Sequence, residues 1–170
     1  LYNCPCICTW VAFNEGWGQF DAARAAEYIQ KLDPTRVVDH ASGWHDQKIG
    51  KLQSLHVYFK PYHFRPDKLG RAVALTEFGG YKLAVSEHVW GEKQFGYKGF
   101  RDEEAFAAAF QKLYARQIIP AKAKGLSASV YTQLSDVEDE LNGLVTYDRK
   151  HVKLSKALAR EIALSLRQDR

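Results

Sequence analysis

Two glutamates are set apart by their surroundings. Glu15 lies in Phe13-Asn14-Glu15-Gly16-Trp17-Gly18 and Glu77 in Leu75-Thr76-Glu77-Phe78-Gly79-Gly80; each comes after an apolar, strand-like run and precedes glycine and aromatic residues. A pair of carboxyl groups suits glycosidic bond cleavage, in which one protonates the leaving oxygen and the other attacks or stabilises the anomeric carbon. Neighbouring aromatic rings suit sugars, whose faces present C–H groups to them. One glutamate in a strand-to-helix turn is accounted for by the positive end of a helix or by a lysine partner. The repetition of the whole setting points to chemistry.

The elements that would carry these residues alternate in type. Ile7 to Phe13 reads as a strand buried on both faces, and Asp21 to Leu32 as a helix with Ala22, Ala25, Ala26 and Ile29 on one side, stopped by Asp33-Pro34. Further strands are expected at Arg36 to Asp39, around Leu55 to Tyr58, and at Arg71 to Phe78. Tyr81 to Phe100 reads as a long functional loop. Asp102 to Lys124 is the strongest helical pattern, with Pro120 expected to kink or break it and Gly125 to end it. Ser127 to Gln133 is the last strand, and Leu154, Leu158, Ile162 and Leu166 mark a final amphipathic helix. Strands alternating with helices predict an α/β parallel architecture. The lack of a glycine-rich phosphate loop counts against a nucleotide-binding sheet.

The net charge of +4 is spread along the chain, which argues against a nucleic-acid partner. No apolar run approaches the roughly 18 residues of a membrane span. Cys4, Cys6 and Cys8 alternate on an extended segment; same-strand neighbours rarely close a disulfide, and no second cysteine pair offers a zinc site, so buried reduced thiols are expected.

Trp10-Val11-Ala12-Phe13-Asn14-Glu15-Gly16-Trp17-Gly18-Gln19 resembles the acid/base motif on the fourth strand of the β-galactosidase/β-glucuronidase/β-mannosidase family, glycoside hydrolase family 2. Thr76-Glu77-Phe78-Gly79 resembles the nucleophile motif on its seventh strand. Between them, Asp39 to Asp46 is similar to the end of strand five and Leu55-His56-Val57-Tyr58 to the end of strand six. The stretch from Tyr131 to Arg149 is similar to the family's segment after strand eight. One departure is Cys4 before Pro5, where the family usually has a basic or histidine residue.

The resemblance implies a partial (β/α)8 barrel, approximately strands four to eight, with residues 1–170 as one fragment of the catalytic domain. It implies a retaining, β-galactosidase-like hydrolase of terminal β-glycosides; no cofactor is expected, and although the family includes metal-dependent members, none of their ligands is traced onto this sequence. Glu77 would be the nucleophile and Glu15 the acid/base, their carboxyl groups about 5–5.5 Å apart. Asn14 would bind the sugar 2-hydroxyl, Tyr58 would orient Glu77, and Trp44, His56 and Tyr131 would line the sugar pocket. Gln133, Asp136 and Glu138 rank lower, because each can equally pair within its own loop.

The first residue is Leu, the chain has no methionine, and a complete barrel takes about 250 residues, so a piece is expected. The expected partners are a carbohydrate substrate, the first half of the barrel with its β-sandwich domains, and, across exposed strand edges, a second copy. The isolated piece is expected to be nearly inactive. Two rivals remain: a metal-dependent barrel hydrolase using His40, His45, His56, His63 or His88, and a non-catalytic carbohydrate-binding fragment.

Overall fold

The computed structural model describes residues 1–168. In chain order its elements are β1 (Thr9–Val11), α1 (Ala22–Leu32), β2 (Val37–Asp39), β3 (Leu52–Val57), β4 (Ala72–Gly79), β5 (Tyr81–Leu83), β6 (Lys98–Phe100), α2 (Glu103–Leu113), a π-helical turn (Tyr114–Ile118), α3 (Ile119–Ala123), β7 (Leu126–Thr132) and α4 (Lys156–Arg167). The backbone gathers into two units. The first comprises Leu1–His56, Arg65–Thr76 and Gly125–Ser129; the second comprises Val57–Phe64, Glu77–Lys124 and the chain from Val130 onward.

The expected partial (β/α)8 barrel is not the architecture found. A barrel needs one continuous curved sheet in which each strand leads into a helix. Here the strands form three separate small sheets, β1-β2, β3-β4-β7 and β5-β6. Among the described residues no helix separates β2 from β3 or β3 from β4. The reason lies in the connections, which contain Gly43 and Gly50 in one case and Pro61, Pro66 and Gly70 in the other, and which lack an apolar stripe at helical spacing. What remains of the expectation is a small α/β chain with short parallel strand pairs.

In the first unit β1 runs parallel to β2, in register from Thr9 with Val37 to Val11 with Asp39. The strand is shorter than the expected Ile7 to Phe13. Its outer edge is open, since among the described residues β2 is its one sheet neighbour, and Val11 is 51% exposed. Helix α1 ends where expected. Asp33 accepts from Thr35 N at 3.0 Å, from Trp10 Nε1 at 2.7 Å and from Arg36 Nη1 at 2.5 Å. Arg36 also donates to the carbonyls of Tyr2, Cys4 and Ile7, which straps the first residues to β2. The three thiols are free as expected, but Cys6 and Cys8 are exposed rather than buried, since they lie on this strap and not in a two-faced strand. Arg71 ties Asp46 and Asp67 together at 2.6 and 3.0 Å and so fixes the two glycine- and proline-containing connections.

In the second unit Phe106, Phe110 and Leu113 line the buried face of α2, against β5, β6 and α4. Full burial of each such side chain is worth roughly 1.5–3 kcal/mol. Asp102 caps α2 by accepting from Ala105 N at 2.8 Å, and Ser155 caps α4 by accepting from Leu158 N at 3.2 Å. Pro120 does not break the helix. It falls in the first turn of α3, just after the π-helical turn, whose wider spacing relieves the clash between the proline ring and the preceding turn. Tyr81 to Phe100, expected as an irregular loop, is closed at both ends by the parallel pairing of β5 with β6.

Candidate active site

Glu15 sits just beyond β1 with its backbone in the left-handed region, φ 51°, unusual for a residue with a side chain. Two contacts hold it there. Its amide donates to Ser42 O at 2.6 Å, and Gln19 Nε2 donates to its carbonyl. The carboxylate is held as well: Oε1 lies 2.9 Å from His56 Nδ1, and Oε2 accepts from Trp17 Nε1 at 3.2 Å.

His56 lies on β3 and is 5% exposed. Its Nε2 lies 2.9 Å from Ser42 Oγ, and Ser42 Oγ donates to Thr76 Oγ1 at 2.9 Å. Thr76 Oγ1 in turn donates to Leu55 O at 3.4 Å. With the serine proton spent on Thr76, Ser42 accepts from His56 Nε2–H. The 2.9 Å contact on the other side of the ring then holds one further proton between His56 Nδ1 and Glu15 Oε1. Gly43 is required beside this network. Its φ is +91°, and a Cβ there would lie 2.4 Å from the His56 ring.

Trp44 packs edge-on to His56 with centroids 6.2 Å apart, donates Nε1 to His56 O at 3.2 Å, and keeps 41% of its surface exposed. Asn14, one residue before Glu15, is exposed and makes an isolated parallel bridge with Ser42. Glu15, Asn14, Trp44 and His56 therefore share one neighbourhood in the first unit.

In the second unit Glu77 lies in β4, and Tyr58 OH donates to its Oε2. Tyr58 OH also lies 3.2 Å from Thr132 Oγ1, and its ring stacks on Tyr97 with centroids 3.6 Å apart. Burial, and then the carboxylate beside it, push the Tyr58 hydroxyl well above the ordinary tyrosine range. It therefore keeps its proton, and the hydrogen bond it donates to Glu77, past the pH at which an ordinary tyrosine ionises. Tyr131 packs edge-on against Phe78 and Phe110, accepts from Tyr81 N at 3.1 Å, and fills the space that a Cβ on Gly79 would need. A cavity of about 190 Å³ beside Tyr58 is lined by Phe59, Tyr62, Phe78, Tyr81 and Lys98. The larger cavity, about 400 Å³, lies between α1 and β2 and contains none of the candidate residues.

The lower-ranked loop residues pair locally. Asp136 forms a buried ion pair with Lys153 at 2.7 Å and accepts from Gly143 N, Gln133 donates to Asn142 Oδ1 and Glu140 Oε2, and Glu138 is exposed. Of the histidines in the metal reading, His40 accepts from Gln47 N and His88 pairs with Asp148 at 2.8 Å. The sequence does not single out Ser42, Thr76, Thr132 or Tyr97. Nothing in the spacing of Ser42 and Thr76 marks them, because their roles come from contacts 14 and 34 positions apart. Trp17 is visible there only as a flanking aromatic.

No protein-family profile matches the chain, and no curated protein matches it.

Proposed function

We propose that this chain carries the catalytic carboxylates of a retaining, β-galactosidase-like glycosidase acting on terminal β-glycosides. The observation that carries the reading is the difference between the two glutamates. Glu15 shares a proton with a buried imidazole, whereas Glu77 accepts from a tyrosine that keeps its own proton. One carboxyl is equipped to give a proton and the other to act as an anion, the division of labour that double displacement requires.

In the first step a Glu77 oxygen bonds to the anomeric carbon as the bond to the leaving oxygen breaks. The proton held between Glu15 and His56 goes to that oxygen. In the second step water attacks the anomeric carbon, the ester to Glu77 breaks, and the water proton returns to Glu15. His56, relayed through Ser42 and Thr76, positions Glu15. Tyr58 positions Glu77. Asn14 and Trp44 lie beside Glu15 and would meet the sugar.

The test is covalent trapping in the full-length protein, since the isolated piece is expected to be nearly inactive. A 2-deoxy-2-fluoro β-glycoside with a good leaving group should label Glu77 with one sugar, found by peptide mass mapping. Glu15→Ala should still accept the label and should regain turnover when azide is added. A label on any other residue, or full turnover by Glu77→Gln, would refute the assignment.

A further inference from the structure

The cavity of about 190 Å³ in the second unit is walled by Phe59, Tyr62, Phe78, Tyr81 and Leu113, and Glu77 does not line it. Its walls are held in place. Tyr62 N donates to Gln117 Oε1 at 2.7 Å, which ties the chain after β3 to the π-helical turn, and Tyr81 N donates to Tyr131 OH at 3.1 Å. Tyr62 is 6% exposed, and its hydroxyl is buried without a hydrogen-bond partner among the described residues. Burial also holds the proton on that oxygen past the ordinary tyrosine range, so the group offers a donor. A buried hydroxyl left unmet is costly, and a molecule in the cavity would meet it. Lys60 and Lys98 stand along the same cavity, while no Asp or Glu lines it. Lys98 Nζ is kept over the Tyr81 and Phe100 rings, 5.7 and 5.3 Å from their centroids. Aromatic walls, one buried donor and two cations suit an anion with an apolar body.

We propose that this cavity binds a carboxylate carried on a single flat ring, a benzoate-like molecule, with the Tyr62 hydroxyl donating to the carboxylate and Lys98 supplying the balancing charge. Volume sets the number of rings: an apolar cavity of about 150 Å³ takes benzene, so about 190 Å³ holds one ring and a small substituent. The aromatic walls favour a flat ring over a puckered one. A monosaccharide is a poor fit, because the hydroxyls around its ring would face Phe59, Phe78 and Leu113 unpaired. Neither Glu15 nor Glu77 takes part, so the site stands whether or not the chain cleaves glycosides.

The experiment is calorimetric titration of the full-length protein with benzoate and with benzamide, its neutral counterpart of the same shape. Benzoate should bind one to one with a Kd of about 0.1–1 mM, and benzamide about 5-fold more weakly. Lys98→Ala should weaken benzoate about 5-fold and change benzamide less than about 2-fold, since only the charge is removed. Tyr62→Phe, which deletes a single oxygen, should weaken both ligands about 5-fold. Retained benzamide binding in Lys98→Ala, and a urea midpoint for Tyr62→Phe close to that of the unaltered protein, show that the variants are folded. Benzamide binding as tightly as benzoate would overturn the choice of an anion. Benzoate affinity unmoved by either substitution would place the binding elsewhere and overturn the site, as would the lack of any saturable heat up to about 10 mM benzoate, which would leave the Tyr62 hydroxyl to water.

Discussion

His56 Nδ1 lies 2.9 Å from Glu15 Oε1. The imidazole is buried and its second nitrogen is engaged by Ser42, so the ring cannot rotate away without leaving polar groups unsatisfied. Replacing His56 with alanine should destabilise the protein by about 1–3 kcal/mol, read as a lowered urea midpoint. It should also slow substrates with poor leaving groups more than those with good ones, because the proton supply serves only the former. Equal slowing of both would remove His56 from proton transfer.

Gly43→Ala gives a second approach to the same ring. The added Cβ would meet His56 at 2.4 Å at a position whose φ of +91° already disfavours a side chain. Turnover of poor-leaving-group substrates should fall as it does for the His56 variant, although no polar group has been removed. Wild-type turnover in a folded Gly43→Ala protein would show that the ring's placement does not matter.

Tyr58→Phe removes the donor to Glu77 while the stack on Tyr97 survives. We expect kcat to fall with little change in substrate affinity, since what is lost is control of the nucleophile. Because burial, together with the Glu77 contact, raises the Tyr58 hydroxyl, its phenolate should be missing from an alkaline absorbance titration of the folded protein. Appearance of the full tyrosinate signal near pH 10 before unfolding would contradict this.

Asp33 should contribute to acid stability. The Thr35 hydroxyl above all, with Trp10 and Arg36, holds its carboxyl well below the usual carboxylate range. A depressed folded value contributes stability that is present above the unfolded value, near 4, and is lost as pH falls below it. Asp33→Asn should therefore flatten the dependence of stability on pH below about 4, measured by denaturant midpoints at successive pH values. An unchanged slope would show that other carboxylates govern acid unfolding.

Lys153 and Asp136 pair at 2.7 Å with side chains 0% and 1% exposed. Removing one partner leaves an uncompensated buried charge, so Lys153→Met should cost about 3–5 kcal/mol. A double variant with Asp136→Leu should recover much of that loss. If Lys153→Met is nearly neutral, the pair does not hold its loop.

Local pattern in the sequence was enough for the helices and for the positions of the longer strands. The α1 stop at Asp33-Pro34, the α2 stripe through Phe106 and Phe110, and the α4 stripe through Leu158 and Ile162 depend on near neighbours along the chain, and all three helices occur. The setting of Glu15 and Glu77 was legible in part, since each follows an apolar strand-like run, but β1 stops at Val11, before Glu15, and β4 runs on through Glu77 to Gly79. Tertiary structure decided whatever involved distant partners. The strands divide into three sheets rather than one barrel, since sheet closure depends on pairings that no local period encodes. The exposure of Cys6 and Cys8 comes from the Arg36 strap, and the survival of the helix at Pro120 from a π-helical turn. Above all, the path from Glu15 through His56 and Ser42 to Thr76 joins residues far apart in the chain, and only folding could turn those four side chains into one hydrogen-bonded network.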